Sequence, residues 1–151
     1  MIVEVDPETA MVRITRYVVV HDCGRVIHPV IVQGQVQGGV AQGIGNAFYE
    51  KLVWDQNGQL LNASFMDYLL PTATDVPRVE TYHIETPSPL NPLGVKGVGE
   101  AGAIPTAAAF AQAVEDALSE HHLEICDIPL SPNRLFELMQ TAERQNGDTA
   151  G

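Results

Sequence analysis

Basic side chains, cysteine and long apolar runs are all scarce in this chain of 151 residues. Eight Lys and Arg stand against nineteen Asp and Glu, a formal net charge of -11. Such a surface repels phosphate backbones and anionic membranes, which argues against nucleic acid as a partner. The two cysteines, Cys23 and Cys126, lie far apart with no Cys-x-x-Cys pattern, so neither a disulfide framework nor a zinc knuckle is signalled. Runs such as Val18–Val20 fall far short of the ~20 apolar residues that span a bilayer, and no basic-then-hydrophobic leader opens the chain. The expectation is a cytoplasmic chain in a reducing compartment, without membrane insertion. Hydrophobic residues reach 45%, so enough apolar surface is present for a packed core.

Two strand-like stretches open the chain. Residues 2–5 and 11–20 flank Asp6-Pro7-Glu8-Thr9, which reads as the turn of a hairpin. The start at Met1 is abrupt, as if a sheet had been entered midway. From Pro29 to about Glu50, Val32, Val36, Val40, Ile44 and Phe48 recur every four residues, the stripe of a helix. That helix also carries Gly34, Gly38, Gly39, Gly43 and Gly45, each costing about 1 kcal/mol relative to Ala. Their four-residue spacing predicts a smooth groove for another element or a ligand. Residues 51–54 and 59–63 flank Asp55-Gln56-Asn57-Gly58, a hairpin signal. Arg78–Glu85 alternates as a strand, and 86–102, rich in Pro and Gly, reads as a long irregular loop. A helix over about Pro105–Ser119, a short strand at 123–128 and a helix from Pro132 to about Arg144, capped by Ser131, complete the chain.

Several motifs carry chemistry in principle. Gly97-Val98-Gly99-Glu100-Ala101-Gly102 fits G-x-G-x-x-G, yet prolines rather than a buried strand precede it, and Glu100 would meet the pyrophosphate of a dinucleotide. Glu100, among residues with almost no bulk, suits a general base that a substrate can approach closely; the plainer reading is a carboxylate near a helix N-terminus. His21-Asp22-Cys23 with His28 offers possible metal ligands or a Cys/His nucleophile, but on a strand His21 and Cys23 share one face and Asp22 the other, as at a strand end turning into a loop, and His121-His122 suits a helix C-terminus better than a metal. Gln33, Gln35, Gln37 and Gln42 concentrate neutral amides beside the glycines, fitting either a solvated face or a polar heterocycle.

Taken in order, Gly34-Gln35-Val36-Gln37-Gly38-Gly39 with Gln42-Gly43, then Ser64-Phe65-Met66-Asp67-Tyr68, then Gly94-Val95-Lys96-Gly97-Val98-Gly99-Glu100 resemble the molybdenum-binding large subunit of the xanthine dehydrogenase, aldehyde oxidoreductase and aerobic carbon monoxide dehydrogenase family. The similarity runs from about Val3 to Leu138. It implies an α+β fold, a mixed sheet with packed helices. It also implies that residues 1–144 are the C-terminal part of a molybdopterin cofactor-binding domain truncated at its N-terminus, with 145–151 a frayed tail.

The resemblance further implies a molybdenum hydroxylase that oxidises an aldehyde, purine or N-heterocycle with water-derived oxygen. Glu100 matches the active-site glutamate that acts as base. Gln35 matches the glutamine of the glycine-rich helix that contacts the cofactor, and Lys96, Gly97, Val98 and Gly99 match the backbone that cradles the pterin. The cofactor implied is molybdopterin, in its cytosine dinucleotide form, with a molybdenum that takes no protein ligand. Iron-sulfur clusters and FAD would sit on partner chains. The implied partners are the N-terminal part of the large subunit, an iron-sulfur subunit and an FAD subunit, with activity arising in the assembled enzyme. Copper-containing carbon monoxide dehydrogenases place Ser-Pro after the glutamate, where Ala101-Gly102 stands here. The alternative is an inert remnant or assembly module that folds and self-associates through an apolar groove along Gly34 to Gly45.

Overall fold

The computed structural model describes residues 1–148. Strands β1 (Ile2–Val5) and β2 (Val12–His21) form the expected antiparallel hairpin, with Val3 opposite Ile14 and Val5 opposite Val12. Its turn is built by Asp6, whose carboxylate accepts from the Glu8 amide and the Thr9 hydroxyl at 2.9 and 2.8 Å. Strand β3 (Val79–His83) lies parallel to β2 on its other side, in register from Tyr17–Val79 to His21–His83. The three strands make one mixed sheet with β2 in the centre. Parallel neighbours need a crossover, and helix α1 (Pro29–Ile44) occupies this one.

Helix α1 starts under a His28 cap, whose Nδ1 accepts from the Ile31 amide, and runs into a wider π-turn over Gly45–Tyr49. Val36, Val40 and Ile44 are buried with Tyr17, Val19 and Val79 of the sheet. Burying an aliphatic side chain contributes about 1.5–3 kcal/mol, so the stripe offsets the intrinsic penalty of the glycines. Helices α2 (Thr106–Ala117) and α3 (Pro132–Asp148) enclose a second cluster of Phe110, Val114, Leu118, Leu130, Leu135 and Met139. Phe48 bridges the two clusters, its ring centroid 3.8 Å from that of Phe110. The result is α+β, three helices against a mixed sheet.

Three local expectations change. The strand expected at 123–128 is irregular chain: the Ile125 amide donates to Glu115 Oε1 and the Leu130 amide to the Ala47 carbonyl, so those groups are satisfied without a sheet edge. The hairpin expected at 51–63 shrinks to one bridge, Trp54–Leu60, although Gly58 takes the positive φ of 80° that its turn requires. Helix α3 continues past Arg144 to Asp148; the last part of the tail expected to fray, 149–151, lies outside the described residues. Among the described residues, no helix is long and apolar enough to cross a membrane.

Candidate functional site

The Pro- and Gly-rich loop after β3 is tied onto the end of β2. Arg25 N–H donates to the Gly94 carbonyl at 3.0 Å and Lys96 N–H to the Cys23 carbonyl at 2.8 Å, an antiparallel bridge of Gly24 with Val95. Side chains would not fit this crossing: a Cβ on Gly24, at φ 66°, would stand 2.2 Å from the Gly94 oxygen. Asn91 completes the loop by accepting from the Val95 amide and donating to the Val95 carbonyl.

Beyond Lys96 the loop faces the exposed side of α1. Gln35 Nε2 donates to the Gly99 carbonyl at 2.8 Å, joining two segments that the sequence analysis singled out separately. Gly34 and Gly38 on the helix and Gly97 and Gly99 on the loop leave open space where a Cβ would stand. Among the described residues, the N–H groups of Gly97, Val98, Gly99 and Glu100 meet no acceptor. Four free donors, neutral amides and absent side chains suit a flat, acceptor-rich group lying against the backbone. The other glycines do structural work instead. A Cβ on Gly43 would stand 2.4 Å from Thr106 Cβ, and one on Gly102 would stand 2.1 Å from the Val36 oxygen.

Glu100 is exposed, and its carbonyl accepts from the Ala103 and Ile104 amides, closing the turn that leads into α2. Its carboxylate enters no ion pair among the described residues. Below this turn the Tyr17 hydroxyl donates to Thr106 Oγ1 at 2.7 Å, and Thr106 Oγ1 donates to the Gly102 carbonyl at 2.6 Å. Both hydroxyls are buried, so the base of the turn is anchored to the central strand.

Lys96 sends its ammonium to Asp22 Oδ2 at 2.9 Å and to Thr86 Oγ1 at 2.5 Å. Asp22 also accepts from the Gly24 amide at 2.7 Å, the Thr86 amide at 3.2 Å and the Thr86 hydroxyl. The Gly24 amide, then Lys96, hold the Asp22 carboxyl below the ordinary aspartate value of 3.8. Sequence reasoning weighed Asp22 only as a metal ligand and gave no role to Thr86, since nothing local pairs residues so far apart.

The other candidate ligands disperse. His21 Nε2 meets His83 Nδ1 at 2.8 Å, a direct hydrogen bond across β2 and β3. Burial, then the His83 charge, pushes His21 below 6.5 against an opposing pull from Asp22. Cys23 is buried, His28 caps α1 and Cys126 is exposed. A separate concavity of about 540 Å³, lined by Asp6, Arg13, Phe48 and Asp75 among others, shares no residue with the glycine-lined surface. Its walls hold none of the groups expected to act.

Comparison with known proteins identifies the family. Residues 1–77 match the family model described as a molybdopterin cofactor-binding domain. The nicotine 6-hydroxylase large subunit of Paenarthrobacter nicotinovorans is 45% identical over 135 residues, 89% of this chain and 16% of the relative. The carbon monoxide dehydrogenase large chain of Hydrogenophaga pseudoflava is 37% identical over 92% of this chain and 17% of the relative. The crystal structure of quinoline 2-oxidoreductase from Pseudomonas putida 86 superimposes with a TM-score of 0.88 and 46% identity, covering 91% of this chain and 18% of that one. The chain thus spans about one sixth of the length of the curated relatives it matches. With the family match, the similarity to these relatives and the fold in agreement, the chain belongs to the molybdopterin cofactor-binding family of xanthine dehydrogenase, aldehyde oxidoreductase and carbon monoxide dehydrogenase large subunits.

Proposed function

We propose that this chain provides one wall of the cofactor site of a molybdenum hydroxylase, together with its catalytic base, Glu100. The observation that carries the reading is the Gln35–Gly99 hydrogen bond, which brings the open glycines of α1 beside the free N–H groups of the loop that ends in Glu100. Those residues fit a molybdopterin: a pterin is flat and rich in acceptors, and a Cβ at Gly34, Gly38, Gly97 or Gly99 would occupy the space it needs. When bound, this cofactor supplies two-electron oxidation of the substrate.

In this reading the N–H groups of Gly97, Val98 and Gly99 donate to the cofactor, while Lys96 belongs to the same cradle through its backbone. Gln35 has its amide hydrogen on Gly99, which leaves Oε1 as an acceptor for a cofactor N–H. Glu100, exposed and in no ion pair among the described residues, takes a proton from the water-derived oxygen that reaches the substrate. The cytosine dinucleotide form of the cofactor, the rest of the large subunit, and partner chains carrying iron-sulfur clusters and FAD complete the assembly. Nicotine and quinoline, named in two relatives, are both N-heterocycles, which favours that substrate class over aldehydes and purines.

The second reading, an inert self-associating module, would be favoured by an exposed apolar groove along Gly34 to Gly45. The exposed face there carries Gln33, Gln35, Gln37 and Gln42 instead. Exposed apolar side chains lie before that stretch, at Val30 and Ile31 in the first turn of α1, and in the chain that follows, with Phe65 and Met66 at 81% and 89% exposure.

The test is molybdenum content, co-purifying chains and turnover for the protein isolated from its native host, with and without Glu100→Gln. About one molybdenum per chain, retained in the variant while N-heterocycle turnover falls about 10²–10⁴-fold, is expected of a lost general base. A metal-free chain without partners, or an active variant, overturns the reading.

A further inference from the structure

We propose that Asp22 and Lys96 are positioning residues for the 96–100 loop: their ion pair, closed by Thr86, holds the backbone donors in place, and the Lys96 ammonium does not touch the bound group. The inference rests on the reading of that loop as a cofactor wall.

The loop has every reason to wander. Gly97 and Gly99 widen the accessible conformations of its middle, and among the described residues its backbone is held by hydrogen bonds to Cys23 and Arg25 before Gly97, by Gln35 at Gly99 and by Thr106 at Gly102, so that none fastens the Gly97–Val98 stretch itself to the sheet. Free N–H groups bind a rigid acceptor well only when they are held still beforehand. The Asp22 carboxylate supplies that restraint at the residue preceding Gly97. It stands at the end of the central strand and collects the neighbouring Gly24 amide together with Thr86 and Lys96, so both ends of the 86–96 stretch meet the end of β2 on one side chain. Both its oxygens are engaged, and the Lys96 ammonium already has two acceptors, Asp22 Oδ2 and Thr86 Oγ1. Thr86 relays between them, accepting from Lys96 and donating to Asp22. An exposed ion pair adds little to global stability, so its consequence is expected locally, in the loop.

The experiment compares Asp22→Asn, Lys96→Met, Lys96→Arg and the Asp22→Asn/Lys96→Met pair in the assembled protein, reading amide exchange by mass spectrometry and molybdenum retention on dialysis. Positioning predicts that Asp22→Asn and Lys96→Met each speed exchange across 94–100 several-fold while α2 keeps its protection. Each also loosens molybdenum, the double variant is no worse than either single one, and Lys96→Arg stays near the wild type. Loosening by Lys96→Met alone, with Asp22→Asn unaffected, would mean that the ammonium contacts the cofactor and would overturn the proposal. Additive losses, or faster exchange throughout β2 and α2, would overturn it too. Exchange is read without molybdenum, so a metal-free assembly with the expected loop pattern sinks the functional reading and upholds the clamp. A loaded assembly whose loop ignores Asp22→Asn does the reverse.

Discussion

The amide of Gln35 and the carbonyl of Gly99 stand 2.8 Å apart, linking a helix and a loop that are 64 residues distant along the chain. The contact is exposed, so it contributes only about 0.5–1.5 kcal/mol at most, and its value lies in where it leaves the loop. Gln35→Leu is therefore expected to shift the unfolding midpoint slightly and to reduce molybdenum retention clearly. Gln35→Glu should do worse, because a carboxylate oxygen would face the Gly99 carbonyl. Calorimetry with metal analysis checks both; equal retention in all three proteins would remove Gln35 from the site.

A glycine packed against α1 from the loop and a glycine on the open face of α1 are expected to respond in opposite directions. Gly102→Ala forces a methyl against the Val36 carbonyl, and α1 cannot retreat without unpacking Val36 and Val40, so a loss of about 1–3 kcal/mol is expected. Gly38→Ala meets nothing and gains helix preference, so stability should rise by up to about 1 kcal/mol. The same methyl obstructs the open face, so cofactor retention should fall. Urea titration of the two variants, paired with metal content, reads the contrast; a destabilised Gly38→Ala would contradict the open face.

Acidification should weaken the β2–β3 pairing through His21. Its folded value lies below 6.5, so between that value and 6.5 the unfolded chain binds more protons, and stability declines as pH falls through the window. His83 and Asp22 face it from β3 and from the end of its own strand, one opposing and one favouring its charge. Melting temperatures at pH 7.5 and 5.5 should differ more in the wild type than in His21→Gln. Parallel profiles would show that the pair does not govern this pH range.

Local patterns made much of the architecture legible. The stripe Val32, Val36, Val40, Ile44 implied α1 because a buried helix face needs that spacing, and the Asp6 turn implied the first hairpin. The glycines announced close approach, but only the packing separates Gly39 and Gly43, which meet the turn at Gly102 and Thr106, from Gly34 and Gly38, which meet nothing. The strand expected at 123–128 failed for a comparable reason. Its alternation is real, with Leu123 and Ile125 partly buried against the second cluster, but no strand edge lies beside it.

Periodicity and turn chemistry, both properties of neighbours in the chain, thus settle the first hairpin and the main helices, while the class of fold and the candidate site residues were legible through the family resemblance. The assembly of that site required the third dimension. Asp22 meets Lys96 across 74 positions and Thr86 across 64, and Tyr17 meets Thr106 across 89. Pairings at such separations leave no trace in local spacing, because hydrogen bonds and ion pairs depend on distance in space, which only the packed strands and helices set.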